Sequence, residues 1–119
     1  MRVIPFLCSG CELGHVADAL ILIQEARKFE RESDRKMADR HLLAAMGSLK
    51  EAEAQAPTDE HKARIREVRK LMEGAIASGQ PIPDVAPELE QVGLETLDLL
   101  RKHPELCPTC RVERGIEHV

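Results

Sequence analysis

Four cysteines, arranged as two Cys-x-x-Cys pairs, are the residues of this chain whose type and spacing can do chemistry. The first pair is Cys8 and Cys11, and the second is Cys107 and Cys110. The two-residue gap lets both sulfurs of a pair bind one ion, because the turn between them folds back. Two such pairs supply the four thiolates of a tetrahedral zinc site. The sequence therefore predicts a Zn²⁺ clasp that joins the N-terminal and C-terminal segments.

Four sulfur ligands leave a metal no open coordination position, which is typical of structural rather than catalytic zinc. The sequence also contains no recognisable nucleophile-and-base motif, phosphate loop or acid pair. We therefore expect a binding module rather than an enzyme. The match to a general zinc-knuckle pattern covers eight residues of the 119, so it indicates metal binding without naming a family.

Two resemblances leave other chemistry open. The spacing of the cysteine pairs resembles the iron sites of rubredoxins, so Fe is the alternative metal. The segment Cys107-Pro108-Thr109-Cys110 resembles the Cys-Pro-x-Cys motif of thioredoxin-type enzymes, which implies thiol redox chemistry or metal delivery. The spacing alone also does not decide whether the two pairs bind one ion in one chain or bridge two chains.

Three further residues are candidates for the surroundings of the metal: His15, His103 and Arg111. A centre of four thiolates and one Zn²⁺ is negative overall, and nearby donors or cations stabilise it. For each histidine, a position close to water at a helix end is the better-supported interpretation. The three residues are therefore named only as candidates for contacts around the metal.

Charge and hydropathy argue against several classes of function. The formal net charge of −4 argues against indiscriminate binding to nucleic acid or anionic lipid. No uninterrupted apolar stretch approaches the length of a membrane span, and the apolar run in residues 1–7 is too short for a secretory signal. We therefore expect a cytoplasmic protein with reduced thiols and no membrane partner.

Apolar residues recur at helical spacing through most of the chain, and only two residues are aromatic. The helical patterns cover residues 16–26, 37–52, 65–76 and 89–100, and residues 3–7 are β-prone. The charged stretch 28–36 is either the middle of one long helix or a break between two. We expect one all-α domain over residues 1–119, a small antiparallel bundle of three to four helices with a four-cysteine zinc clasp.

Local signals predict where these helices begin and end. Ser33 and Asp34 are both possible starting residues for a helix, Thr58 is a good N-cap, and Pro57 ends the helix before it. Gly79 stops the third helix, and Pro87 opens the fourth. The predicted core face of the fourth helix is Leu89, Val92, Leu97 and Leu100.

Two segments are candidate interaction surfaces. The first is an apolar turn formed by Leu20, Ile21, Leu22 and Ile23. Because it is apolar on nearly every side, it predicts a protein partner or a homo-oligomer, unless it is simply core. The preferred function is therefore a zinc-stabilised helical module for protein–protein interaction or self-association.

The second segment is a basic helix over residues 62–70, with Lys62, Arg66, Arg69 and Lys70 as candidate contacts. It makes a zinc-containing, nucleic-acid-binding regulatory protein the first alternative function. The acidic total charge and the scarcity of aromatic residues for base stacking argue against it. The acidic stretch 71–100 offers this helix an internal partner of opposite charge.

Overall fold

The computed structural model describes residues 12–103, with side chains from residue 14 onward, and this part of the chain forms four α-helices without a strand. α1 spans Glu12–Arg31, α2 Arg35–Gln55, α3 Asp59–Ser78 and α4 Ala86–Lys102. None of these four helices has both the length and the apolar character needed to cross a membrane. The all-α prediction is confirmed, with four helices. The predicted strand at residues 3–7 lies outside the described residues.

The charged stretch 28–36 contains the break between α1 and α2. Ser33 has a φ of 62°, in the left-handed region that ends a right-handed helix. Asp34 then caps α2, because its side chain accepts a hydrogen bond from the backbone N–H of Met37 at 3.2 Å. Two separate helices therefore replace the single long helix that the charge pattern also allowed.

The other helix boundaries agree with the sequence signals. The Thr58 hydroxyl accepts a hydrogen bond from the N–H of His61 at 3.1 Å and so caps α3. Gly79 ends α3 with a φ of 70°, a conformation that glycine adopts without steric cost. Pro87 lies in the first turn of α4, where its missing N–H needs no partner.

The core combines small and large apolar side chains, and alanines are among the fully buried residues of both α1 and α2. Ala19, Ala26, Ala38 and Ala45 are fully buried, and such short side chains let helix backbones approach closely. The largest fully buried aliphatic side chains come from all four helices: Ile23, Leu42, Leu49, Ile65, Met72, Leu89 and Leu100. The four helices therefore pack around shared buried apolar surface.

The core face of α4 differs from the predicted one at a single position. Leu89, Val92 and Leu100 are buried as expected, but the position between them is occupied by Thr96 rather than Leu97. Residues 92, 96 and 100 repeat every four positions and stay on one side of the helix. Leu97 lies one residue further around the helix and is only half-buried.

α1 and α4 run antiparallel. At one end of the pair, Glu30 accepts a hydrogen bond from the N–H of Ile82 at 3.0 Å, and Arg27 lies 3.4 Å from Asp84. Towards the other end, Leu20 of α1 and Leu97 of α4 line the same groove. The start of α1 and the end of α4 consequently lie at the same end of the bundle.

Arg35, at the start of α2, holds the opposite end of the bundle together. Its guanidinium donates to the carboxylates of Glu30 on α1 and Asp39 on α2, each at 2.9 Å. It also donates to the carbonyls of Ala75 at 2.7 Å and Gln80 at 2.8 Å, where α3 ends. A cation at a helix C-terminus stabilises the last carbonyl groups, which have no partner within the helix.

We expect Arg35→Ala to lower the free energy of unfolding by about 1–3 kcal/mol, because several charge-assisted hydrogen bonds are lost at once. Urea unfolding followed by circular dichroism measures this loss. Arg40→Ala, an exposed position on the same helix, is the matched control and should change stability little. Equal losses in the two variants would contradict a special role for Arg35.

Candidate interaction surfaces

The residues predicted to form the metal site fall mostly outside the described part of the chain. Those outside it are Cys8, Cys11, Cys107, Cys110 and Arg111. His15 is half-buried in the first turn of α1, and His103 directly follows α4, so both lie at the same end of the bundle. Within residues 12–103, no group of three or more His, Cys, Asp or Glu residues is arranged to hold a metal ion.

The apolar turn at residues 20–23 is divided among different surroundings. Ile23 is fully buried in the core, and Leu22 is half-buried and packs against it. Ile21 is 58% exposed, and Leu20 faces a groove beside α4. Since successive residues of an α-helix point about 100° apart, four consecutive residues do not share one face. The turn contributes mainly to the core, and only Leu20 joins a larger apolar surface.

That larger surface is an apolar groove between α1 and α4, with a volume of about 390 Å³. Its lining residues are Val16, Ala17, Leu20, Leu89, Glu90, Gly93, Leu94 and Leu97. Leu94 is 65% exposed, the largest exposed fraction among the large apolar side chains in the described residues. The groove thus presents apolar surface to solvent along two helices.

Gly93 lies in the middle of α4, within the groove. A glycine inside a helix costs about 0.5–1 kcal/mol relative to alanine. A Cβ added at Gly93 would meet no atom within 4 Å, so packing inside the chain does not require glycine at this position. Because Gly93 has no side chain, the groove is deeper at this position.

The basic helix predicted at residues 62–70 is split between two sides of α3. On one side, Arg64 donates to Glu88 at 3.0 Å and to Glu95 at 2.6 Å, both on α4. A hydrogen bond from Gln91, together with the hydrogen bond and charge of Arg64, lowers the pKa of Glu95 to about 2. The pairing of basic α3 with acidic α4 is confirmed at Arg64.

On the other side of α3, three of the four predicted contacts face α2. Lys62, Arg66 and Arg69 line a cavity together with Lys50 and Glu53 of α2. The fourth predicted contact, Lys70, is exposed and lies outside this lining. We call this space, lined by Lys50, Glu53, Ala54, Lys62, Arg66 and Arg69, the basic cavity.

Sequence reasoning missed the residues that complete both surfaces. Lys50 and Glu53 lie on α2, and nothing in the local sequence indicates that they face Arg66. Leu94 and Gly93 carried a usable signal, because together with Leu97 they widen the apolar stripe of α4 beyond its core face. A stripe too wide for the core indicates surface that is left uncovered.

Scans of the chain against protein-family models, curated proteins and solved structures find no match. Function is therefore inferred from the two surfaces themselves. The groove between α1 and α4 can bury an apolar stripe of a partner. The basic cavity between α2 and α3 can bind an anion.

The link between Arg64 and Glu95 predicts a specific pH dependence of stability. Because the folded-state pKa of Glu95 is about 2, below the ordinary carboxyl value of 4.5, its stabilising contribution is present above pH 4.5 and is lost as the pH falls towards 2. Glu95→Gln should therefore destabilise the protein at pH 7, and the difference from wild type should shrink over that acidic range. Urea unfolding at a series of pH values measures it.

Glu90→Gln is the matched control, since Glu90 is an exposed carboxylate on the same helix. Its difference from wild type should stay small throughout the series. A Glu95→Gln difference that is constant with pH would contradict the assigned interaction.

Proposed function

We propose that this protein is a non-catalytic, zinc-stabilised helical module that binds an amphipathic helix of a partner protein in the groove between α1 and α4. The observation that carries the proposal is the uncovered apolar surface around Leu94, which is 65% exposed beside Leu97 and Leu20. Contiguous apolar surface rimmed by polar residues is typical of protein interaction sites. A groove between two neighbouring helices, here α1 and α4, has a shape that can hold a third helix.

The charge of the groove favours a particular kind of partner helix. Its lining contains one charged residue, Glu90, and no cation. A helix with an apolar stripe and a basic flank therefore complements both the shape and the charge of the groove. In a symmetric dimer each patch meets its own copy, so one interface would enclose two Glu90 carboxylates and no cation of the lining to offset them. This repulsion favours a partner helix over a second copy of the chain.

Gly93 supports a closely approaching occupant. Its lack of a side chain leaves room within the groove that no residue of α1 fills. Helices approach each other most closely where one presents glycine, since no Cβ separates the backbones. A partner helix that crosses at Gly93 buries its apolar side chains against Leu94 and Leu97.

The antiparallel order of α1 and α4 supports zinc as the stabilising metal. Cys11 directly precedes α1, and Cys107 follows His103 by four residues. Four residues of chain extend at most about 14 Å. Because α1 begins and α4 ends at the same end of the bundle, the described ends of the chain are compatible with one ion shared by both cysteine pairs. A single Zn²⁺ bound by all four thiolates would hold α4 against α1 and so fix the width of the groove.

We expect a designed helical peptide, with Leu on one face and Lys on its flanks, to bind wild-type protein in a fluorescence anisotropy titration. Leu94→Asp should weaken binding about tenfold or more, because a charge replaces a buried apolar contact. The melting temperature of the variant should stay close to that of wild type, since Leu94 is largely exposed.

Leu43→Asp is the matched control, because Leu43 is 58% exposed on α2, away from the groove. Equal weakening by the two variants, or no binding of the peptide to wild type, would overturn the proposed groove. A dimer in sedimentation experiments that Leu94→Asp dissociates, without peptide binding, would instead identify a second copy as the occupant.

For the metal we expect about one Zn²⁺ per chain by elemental analysis. Cys8→Ser and Cys107→Ser should each lose metal and melt at clearly lower temperature, since structural zinc contributes on the order of 10 kcal/mol. Ser9→Ala, which lies between the same two cysteines and keeps all four thiols, is the control.

Other results in the same experiments identify the alternatives. If elemental analysis finds iron and the protein absorbs visible light, the metal site is a rubredoxin-like iron centre rather than a zinc site. Thiols that react with alkylating reagents in the native protein would favour redox chemistry or metal delivery. Unchanged melting of both cysteine variants would contradict a structural metal.

A further inference from the structure

The basic cavity between α2 and α3 has a volume of about 360 Å³ and a strongly positive lining. Four cationic side chains face one carboxylate, a formal net charge of +3: Lys50, Lys62, Arg66 and Arg69 around Glu53. The whole chain has a net charge of −4, so the positive charge of this cavity is local and is not apparent from the net charge of the protein.

Three of these cationic side chains have hydrogen-bond donors without a partner in the described part of the chain. Among the described residues, the side-chain ammonium groups of Lys50 and Lys62 make no hydrogen bond or ion pair. Arg66 uses only Nε, which donates to Glu53 at 2.9 Å, and its two Nη groups have no partner there. The cavity therefore holds ammonium and guanidinium donors that are directed at no other group of the described chain.

Glu53 is the internal counter-ion of the cavity. Its Oε1 accepts from Arg66, and its Oε2 lies 3.4 Å from both Nε and Nη2 of Arg69. Burial raises the pKa of Glu53, but the hydrogen bonds and charges of Arg66 and Arg69 outweigh this effect and hold the pKa below its ordinary value. Arg69 is further engaged by Glu73 at 2.8 Å. Glu53 thus neutralises only part of the surrounding charge.

We propose that the basic cavity binds the diphosphate group of a small ligand, with Lys50, Lys62 and Arg66 as its donors. Two linked phosphate groups carry about −3 at pH 7, which matches the charge of the lining. Guanidinium and ammonium groups are the side chains best suited to phosphate oxygens. Ala54 is the only apolar residue in the lining, and none is aromatic, so recognition falls on the phosphates rather than on an attached base. This site is independent of the groove between α1 and α4.

Isothermal titration with sodium pyrophosphate, at constant ionic strength, tests the proposal. We expect saturable binding, with AMP at least about tenfold weaker because it carries a single phosphate. ADP distinguishes the source of the diphosphate: affinity equal to that of pyrophosphate identifies the group alone, and tighter binding identifies a nucleoside diphosphate. AMP binding as tightly as pyrophosphate would overturn the proposal.

Matched variants separate a built site from diffuse charge. Lys62→Gln and Arg66→Gln should each weaken pyrophosphate binding about fivefold or more, because each removes a donor. Lys70→Gln, which removes an exposed charge of α3 outside the cavity, should change the affinity little. Equal weakening by Lys70→Gln and Arg66→Gln would show a diffuse electrostatic effect and overturn the site.

Glu53→Gln gives a result of opposite sign. Removing the internal counter-ion should tighten pyrophosphate binding about two- to fivefold, because Arg66 no longer neutralises a carboxylate. Weaker binding by a variant that melts like wild type would contradict the role of Glu53. Should Glu53→Gln fail to fold, the comparison of Lys62→Gln with Lys70→Gln still decides the question.

A single-stranded oligonucleotide is the last arm of the test. Oligonucleotide binding that Arg66→Gln abolishes, with no binding of pyrophosphate, would overturn the diphosphate site and favour a nucleic-acid interface instead.

Discussion

The guanidinium of Arg35 is the contact on which the arrangement of the helices most depends. It lies where α1 ends, α2 begins and α3 ends, and it donates to groups from all three helices. Glu30, one of its partners, also accepts the backbone N–H of Ile82 in the segment that leads into α4. One planar cation with five donors thus fixes four chain segments relative to one another. A lysine offers a single point of charge and does not reproduce this geometry.

This constraint explains why a groove remains between α1 and α4. The linker before α4 is held by Glu30 and by the ion pair of Arg27 with Asp84. Further along, α4 is tied to α3 through Arg64, which binds Glu88 and Glu95. α4 therefore turns its core face, with Leu89 and Thr96, towards the bundle while its remaining apolar residues stay beside α1. This rotation of α4 satisfies both its polar contacts and the burial of its core face, and it leaves Leu94 uncovered.

Local structure was largely predictable from the sequence because it depends on near neighbours. The caps at Asp34 and Thr58, the left-handed Gly79 and the four helical patterns each follow from a few adjacent residues. The rotation of α4 was not predictable, since whether Thr96 or Leu97 faces the core depends on contacts with other helices. The basic cavity was missed for the same reason, because its residues come from α2 and α3. Helical periodicity alone also does not show that Leu20 and Ile23 have different surroundings.

The two surfaces differ in polarity and in charge, so they should bind different ligands. The groove between α1 and α4 is apolar and carries the carboxylate of Glu90, whereas the cavity between α2 and α3 is polar and carries a net charge of +3. A basic amphipathic helix is attracted to the groove and repelled by the cavity, and a small polyanion behaves in the opposite way.

This difference between the two surfaces follows from the helical repeat of α3, which directs Arg64 towards the acids of α4 and Arg66 towards α2. Since Glu88 and Glu95 balance the charge of Arg64, it adds no net positive charge on the side of α4, where a basic partner approaches. The same run of basic residues therefore makes both surfaces selective.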